Sequence, residues 1–191
     1  MRWIGLLMAV WAGSAAAQNS PQTGPQSGQQ SGSATLDAVR ARGLLICGIS
    51  GEIVGFSLPD SRGVMQGLDA DYCRAIAAAT LGDAEKVRFL PLTAQNRFTA
   101  LQSGEVDVLI RNTCWSSTRE ASLGLLFAAT NFWDGTSLIV KTASGVKHTA
   151  ELGGATICVR PGTTTELDLA DWARTAQIAY TPVQIGGVNE I

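Results

Sequence analysis

Between Leu44 and Ile110 the sequence switches repeatedly between strand-length apolar runs and helical spacing, and this alternation constrains the fold more than any other feature. Leu44–Ile49 is a continuous apolar run, interrupted only by Gly48, and a run of that length bounded by turn signals suits a buried strand. Asp69–Leu81 has helical spacing. Asp69 and Asp71 favour its N-terminus, Gly82 stands where a left-handed cap belongs, and Cys73, Ile76, Ala77 and Thr80 fall on one face. Val87–Leu92 is a second strand. A helix then runs from Thr93, a cap residue, through Phe98 and Leu101 to Gly104, and Val106–Ile110 is a third strand. Strand, helix, strand, helix, strand is the order of a parallel α/β sheet with right-handed crossovers. The helix face carrying Cys73 should pack on the sheet beside Leu44–Ile49, so Cys47–Cys73 is the disulfide to test first.

The flanks differ in kind. Met1–Ala17 combines Arg2, a mostly apolar stretch Trp3–Trp11 and a small-residue end Ala15–Ala17, the three parts of a cleavable secretory signal. Residues 18–34 are Gln, Ser, Gly and Pro with almost no apolar side chain, a flexible linker. Thr35 is the expected cap of a short helix Leu36–Arg42 that stops at Gly43. Export would place Cys47, Cys73, Cys114 and Cys158 in an oxidising compartment. Four cysteines allow three pairings, and each is alternatively a free thiol. No Cys-x-x-Cys pair is present, and no cysteine follows the signal to carry a lipid anchor.

Composition excludes several function classes. With 14 Lys plus Arg against 16 Asp plus Glu, a net charge of −2 and no basic block, the chain lacks the field that attracts nucleic acid or an anionic membrane. A single histidine, His148, leaves no pair for zinc or a proton relay, so neither metal nor cofactor is expected. Beyond the first sheet, Ser50–Gly67 is dense in turn residues, and its lone aromatic, Phe56, is either a ligand stack or a packing anchor. Thr136–Lys141 reads as a strand, and Lys141–Gly154 as a polar surface loop holding His148. A second unit follows: strand Thr156–Val159, loop Arg160–Thr163, helix Thr164–Arg174 and strand Tyr180–Ile185.

Two stretches carry the chemistry. Asp107–Arg119 passes from the third strand into a hydroxyl-rich loop, Asn112-Thr113-Cys114-Trp115-Ser116-Ser117-Thr118, that closes on Arg119. A guanidinium there can hold a carboxylate through two parallel hydrogen bonds, at the sheet end where α/β proteins place ligands. Gly162-Thr163-Thr164-Thr165-Glu166 lies between a strand and a helix. Thr163 and Glu166 have capping-box spacing, and the same geometry presents free backbone N–H groups to an anion. The two roles are compatible.

In order along the chain, Leu45–Gly48, Gly67–Ala75, Arg97–Asp107, Arg111-Asn112-Thr113, Trp115, Arg119 and Gly162–Glu166 together resemble the periplasmic amino-acid-binding proteins of ABC transporters, in the polar and general L-amino-acid branch of bacterial solute-binding protein family 3. The resemblance implies an α/β, two-lobed periplasmic-binding-protein type II fold, with a first lobe over 35–136, a hinge strand over 137–141 and a partial second lobe over 142–191. It implies that Arg119 holds the ligand carboxylate with Thr163 and Thr164, that Asn112, Thr113 and Cys114 meet the ligand head group, and that Ile53 and Phe56 face its side chain. A hydroxyl residue is usual at position 114 in this family, and Cys114 departs from that. Family members are longer, so the first lobe is expected nearly complete, the second incomplete, and binding weakened by truncation; Cys158 would normally pair with a cysteine beyond Ile191.

The expected function is periplasmic binding of free L-amino acids for a membrane permease, by a monomer without catalytic residues, nucleic-acid partner or direct membrane insertion. The competing readings are a dehydratase acting on a prephenate-like acid on the same scaffold, and a fragment with no competent site.

Overall fold

The computed structural model describes residues 33–187 and 190. The signal expected over Met1–Ala17 and nearly all of the linker expected over 18–34 lie outside them.

Helix α1 (Ala34–Arg42) is capped by Ser33, whose Oγ accepts from the Leu36 amide, and not by Thr35. A cap must stand outside the helix with extended backbone. Ser33 does so (φ −67°, ψ 119°), whereas Thr35 already lies inside the helix. Strand β1 (Leu45–Ile49) follows and is buried along its whole length. The turn-rich stretch after it holds a small antiparallel hairpin, β2 (Leu58–Pro59) and β3 (Met65–Gln66), which the density of glycines concealed. Helix α2 (Leu68–Leu81) ends at Gly82 in the left-handed conformation, as its sequence predicts. Next come β4 (Val87–Pro91), helix α3 (Arg97–Gln102) and β5 (Val108–Leu109). Thr93 does not open α3. Its hydroxyl and amide both donate to Asn96 Oδ1, building a tight turn that delays the helix to Arg97.

The three long-range strands pair in the order β4-β1-β5, both pairings parallel. The expected strand Val106–Ile110 is narrower as a ladder, although the Asp107 and Ile110 amides still donate to Ile46 and Gly48 carbonyls at 2.9 and 2.8 Å. Because strand side chains alternate, β1 serves two layers. Leu45 packs with Val39 and Ala77, and Cys47 and Ile49 pack with Cys73, all on the α1–α2 side. Ile46 packs with Leu92, Ala100 and Val106 on the α3 side. Gly48 faces that second layer as well. A Cβ on it would lie 2.8 Å from Leu92 Cδ1 and 3.0 Å from Leu109 Cδ1, so glycine is what lets α3's layer close over the strand. Cys47 and Cys73 form a disulfide, with Cα atoms 6.1 Å apart and both residues fully buried. Asp107 ties the edge of the sheet to α1: its Oδ2 accepts from the Ile46 amide at 2.7 Å and from the Arg42 guanidinium.

After β5 the chain forms helix α4 (Ser117–Leu123) and then no regular element from residue 124 to 141. The hinge strand expected over 137–141, within Thr136–Lys141, is therefore not formed. Its composition suits a strand, but a strand exists only as one member of a pair, and no described segment pairs with it. Ile139 is 95% exposed as a result. Short 3-10 turns over Thr142–Ser144 and Thr149–Leu152 lead to β6 (Thr156–Val159), helix α5 (Thr164–Ala176) and β7 (Thr181–Gln184). Strands β6 and β7 form a separate parallel pair, with Ile157 opposite Pro182. Among the described residues, Leu152, Val159, Leu169, Ala173 and Ile185 are the buried apolar residues of this part.

Candidate functional site

The candidate site lies where the carboxyl ends of β5 and β6 give way to the starts of α4 and α5. Each helix start is built by a hydroxyl cap. Ser116 Oγ accepts from the Arg119 amide at 3.3 Å, which fixes Arg119 in the first turn of α4. Its guanidinium folds back: Nη1 donates to the Cys114 carbonyl, and the charged carbon sits 5.0 Å from the centre of the Phe98 ring. Arg119 is only 8% exposed, and burial lowers the pKa of its guanidinium. At α5, Thr163 Oγ1 accepts from the Glu166 amide at 3.2 Å and donates to the Arg160 carbonyl at 2.7 Å. Glu166 reaches back to the Gly162 amide at 2.9 Å, one residue earlier than a standard capping box requires. The cap role of Thr163 is thus realised. Gly162 allows the turn, with φ +76°.

The loop before α4 and the start of α3 both touch the start of α5. Thr164 Oγ1 donates to Cys114 Sγ at 3.1 Å, and Arg97 Nη2 donates to the Gly162 carbonyl at 3.1 Å. Between them lies a cleft of about 60 Å³ lined by Asn112, Cys114, Arg119, Thr163 and Thr164, together with Arg97, Asp134, Arg160 and Thr165. At ~10–15 Å³ per water that is room for about five waters, on the scale of the head group of an amino acid. Five of the residues expected at the site are therefore brought together. Thr113 is a neighbour whose Oγ1 is buried without a hydrogen-bond partner among the described residues. Phe56 packs edge-on against Phe132, ring centres 5.0 Å apart, and Ile53 bridges to Ser57; neither lines this cleft. His148 is exposed, as its loop predicts.

Charge is where the structure adds most. Four arginines converge. Arg97 is 1% exposed, with Nε unpartnered among the described residues and its guanidinium over the Phe98 ring at 4.6 Å. Burial, with Arg111, Arg119 and Arg160 nearby, pushes Arg97 down to about 9. Burial, with Arg160 adding to it, pushes Arg111 down to about 10, although Glu52 and Asp69 oppose this. Arg111 donates to the Leu92 carbonyl and, through Nε and Nη2, to Asn112 Oδ1. Arg160 pairs with Glu52 at 3.0 Å, joining the loop after β1 to the loop after β6. A guanidinium is cationic at neutral pH, so a cleft lined by Arg97, Arg119 and Arg160, with Asp134 as its acidic lining residue and Glu52 paired to Arg160, favours an anion. Sequence reasoning missed Arg97, Arg111 and Arg160 as site residues, and Asp134 with them. A usable signal existed for two of these: Arg111 and Arg160 are the first cations after β5 and β6, at strand ends where α/β folds bind ligands.

Asp69, expected merely to favour the start of α2, is buried (2% exposed) and accepts from Ser57 Oγ at 3.4 Å. Ser57 Oγ in turn accepts from the Gly51 amide at 3.2 Å, pinning the loop that carries Glu52. Burial raises the Asp69 carboxyl to about 6. Among the described residues there is no group of three or more metal-ligating side chains, and no helix long and apolar enough to cross a membrane.

Residues 45–178 match the model of bacterial extracellular solute-binding proteins, family 3. The chain is 52% identical over 153 residues to the glutamate/glutamine/aspartate/asparagine-binding protein BztA of Rhodobacter capsulatus, an alignment covering 80% of this chain and 45% of BztA. It is 45% identical over 159 residues to the general L-amino acid-binding periplasmic protein AapJ of Rhizobium johnstonii, covering 83% of this chain and 47% of AapJ. An ABC transporter periplasmic binding protein from Brucella ovis, solved with glutathione bound, superposes with a TM-score of 0.78 at 48% identity, covering 83% of this chain and 50% of that one. The chain spans about half the length of the curated relatives it matches. Its parallel α/β architecture is that of the periplasmic binding proteins, and the chain belongs to the bacterial extracellular solute-binding proteins of family 3.

Proposed function

We propose that this chain binds free L-amino acids in the periplasm, without covalent chemistry, for delivery to the membrane permease of an ABC transporter. The observation that carries the reading is the buried Arg119 guanidinium facing the capped start of α5 across a cleft the size of an amino-acid head group. Among the described hydrogen bonds its guanidinium uses only Nη1, which leaves donors for a carboxylate. Thr163 and Thr164 would supply backbone N–H groups at the positive end of α5. Asp134 would meet the ligand ammonium, while Asn112, Thr113 and Cys114 complete the head-group side. Ile53 and Phe56 lie on the loop pinned by Asp69 and would be reached only by the ligand side chain.

Lobes over 35–136 and 142–191, joined through 137–141, would close on the ligand. The Glu52–Arg160 pair, 3.0 Å apart, would be one element of that closed arrangement. Binding is favoured over turnover because the charged lining residues are three arginines and Asp134, and His148 is not among them. The names of the relatives support the ligand class. The glutathione bound to the Brucella ovis protein itself carries a free α-amino acid group at one end.

Isothermal calorimetry with a panel of amino acids tests the proposal. Arg119→Ala should weaken binding tenfold or more, since a hydrogen bond to a charged group contributes ~1.5–3 kcal/mol. An unchanged dissociation constant would remove Arg119 from the site.

A further inference from the structure

Cys114 is an exposed free thiol that lines the cationic cleft, and its placement points beyond reversible binding. Its Sγ faces the Thr164 hydroxyl at 3.1 Å on one side, and its own carbonyl is held by Arg119 on the other. The thiol shares the lining of the cleft with Arg97, Arg119 and Arg160. A cysteine alone would mean little, but the same cleft contains a second, independent sign of a missing occupant. Arg97 is 1% exposed and lines the cleft; its Nη2 donates to the Gly162 carbonyl, while its buried Nε has no hydrogen-bond partner among the described residues. A cation taken so far out of water and left short of an acceptor calls for an anion from outside.

We propose that Cys114 is a site of reversible S-thiolation by small anionic disulfides, which the arginines draw into the cleft and which then occupy the place of the amino-acid ligand. This rests in part on the amino-acid reading of the cleft. The chemistry is thiol–disulfide exchange. The Cys114 thiolate attacks one sulfur of R–S–S–R, a Cys114–S–S–R bond forms as the original S–S bond breaks, and R–S⁻ leaves with the electron pair. The Cys114 sulfur is oxidised, the departing sulfur is reduced, and the disulfide is the oxidant. An anionic R group left behind lies against Arg97, Arg119 and the start of α5, where a ligand carboxylate would otherwise sit. Excess small thiol reverses the step.

The second free thiol, Cys158, is exposed on β6 and is not among the cleft-lining residues, so it serves as an internal reference. Wild-type protein and a Cys158→Ser variant are treated with anionic 5,5′-dithiobis(2-nitrobenzoate) or cationic cystamine. Modification at each cysteine is followed by peptide mass spectrometry, and each rate is normalised to that of the same cysteine in the urea-unfolded chain.

The normalised rate at Cys114 should favour the anionic reagent by about tenfold or more, an electrostatic preference that should collapse in high salt. Cys158 should show no such preference, and Arg160→Gln, which leaves the Arg97 and Arg119 contacts in place, should reduce the preference at Cys114. A reagent preference near unity at Cys114, or an equal preference at Cys158, overturns the proposal. Added amino acid should slow the reaction at Cys114. If it does not, while the charge preference persists, the amino-acid reading fails and the thiol reading stands.

Discussion

Replacing both Cys47 and Cys73 by alanine should cost the fold several kcal/mol, and the structure sets the size. The bridge joins the central strand to α2 across 26 residues of sequence. In the loop-entropy description a closure of that length removes ~12 cal/mol/K from the unfolded chain, or ~3.5 kcal/mol at 25 °C. The two sulfurs also sit in a sealed layer with Ile49, flanked by Met65, Phe89 and Ile110, so alanine leaves a void that adds to the loss. Urea unfolding followed by far-ultraviolet circular dichroism measures it. With a slope of ~2 kcal/mol/M the midpoint should fall by at least about 1.7 M, and the slope itself should rise because the freed unfolded chain exposes more surface. Unmodified protein in strong reductant should be slow to join the variant's curve, since the bridge is fully buried. A loss below ~1 kcal/mol with an unchanged slope would refute the idea that this bridge staples strand to helix.

Asp69 should make stability depend on pH. Its carboxyl is raised from 3.8 to about 6, so the protonated form is favoured in the folded state. Stability is then greatest below pH 4 as far as this group is concerned and falls as pH rises through 6. The full loss is ~3 kcal/mol at most. Asp69→Asn should flatten that part of the urea-midpoint profile between pH 4 and 7, and an unaltered profile would show that Asp69 does not titrate there. Gly67→Ala should destabilise by roughly 2–5 kcal/mol, because the residue adopts φ +112° and its Cβ would fall 2.6 Å from the Phe56 backbone; thermal denaturation within a degree or two of the parent would contradict this. Glu52→Gln should cost about 1 kcal/mol and reduce the salt sensitivity of unfolding, since the half-buried pair with Arg160 is lost. Unchanged salt sensitivity would mean the pair does not persist in solution.

Those perturbations separate what local sequence could foretell from what it could not. The parallel sheet, the glycine stop at Gly82, the Thr163 cap and the Cys47–Cys73 bridge were legible because each follows from spacing within one or two elements. Thr35 failed as a cap because a better placed hydroxyl, Ser33, lay two residues earlier, outside the helix. The strand over Thr136–Lys141 failed because β-propensity describes a surface that fits a neighbour, and no described neighbour exists. The site was half legible. Arg119 and the Thr163–Thr164 turn announce themselves through local motifs, whereas Arg97, Arg111 and Arg160 become one cluster only when segments far apart in sequence are folded together. The burial of Asp69 was invisible for the same reason: a first-turn carboxylate is ordinarily solvated, and the Ser57 and Gly51 partners that hold this one lie in a loop before the helix.

The register of β7 has a consequence for how molecules of this protein meet one another. The amides of Thr181 and Ile185 donate inward, to Ala155 and Val159 on the β6 side, so by the two-residue period the outward-facing amides belong to positions 182 and 184. Position 182 is proline and has no N–H to offer. Among the described residues nothing pairs with the outer margin of the strand, which presents one main-chain donor, from Gln184, where a strand of this length would ordinarily present two. A visiting chain finds too few rungs to climb, and self-association by sheet extension is discouraged on that side by a single imino acid in the correct phase.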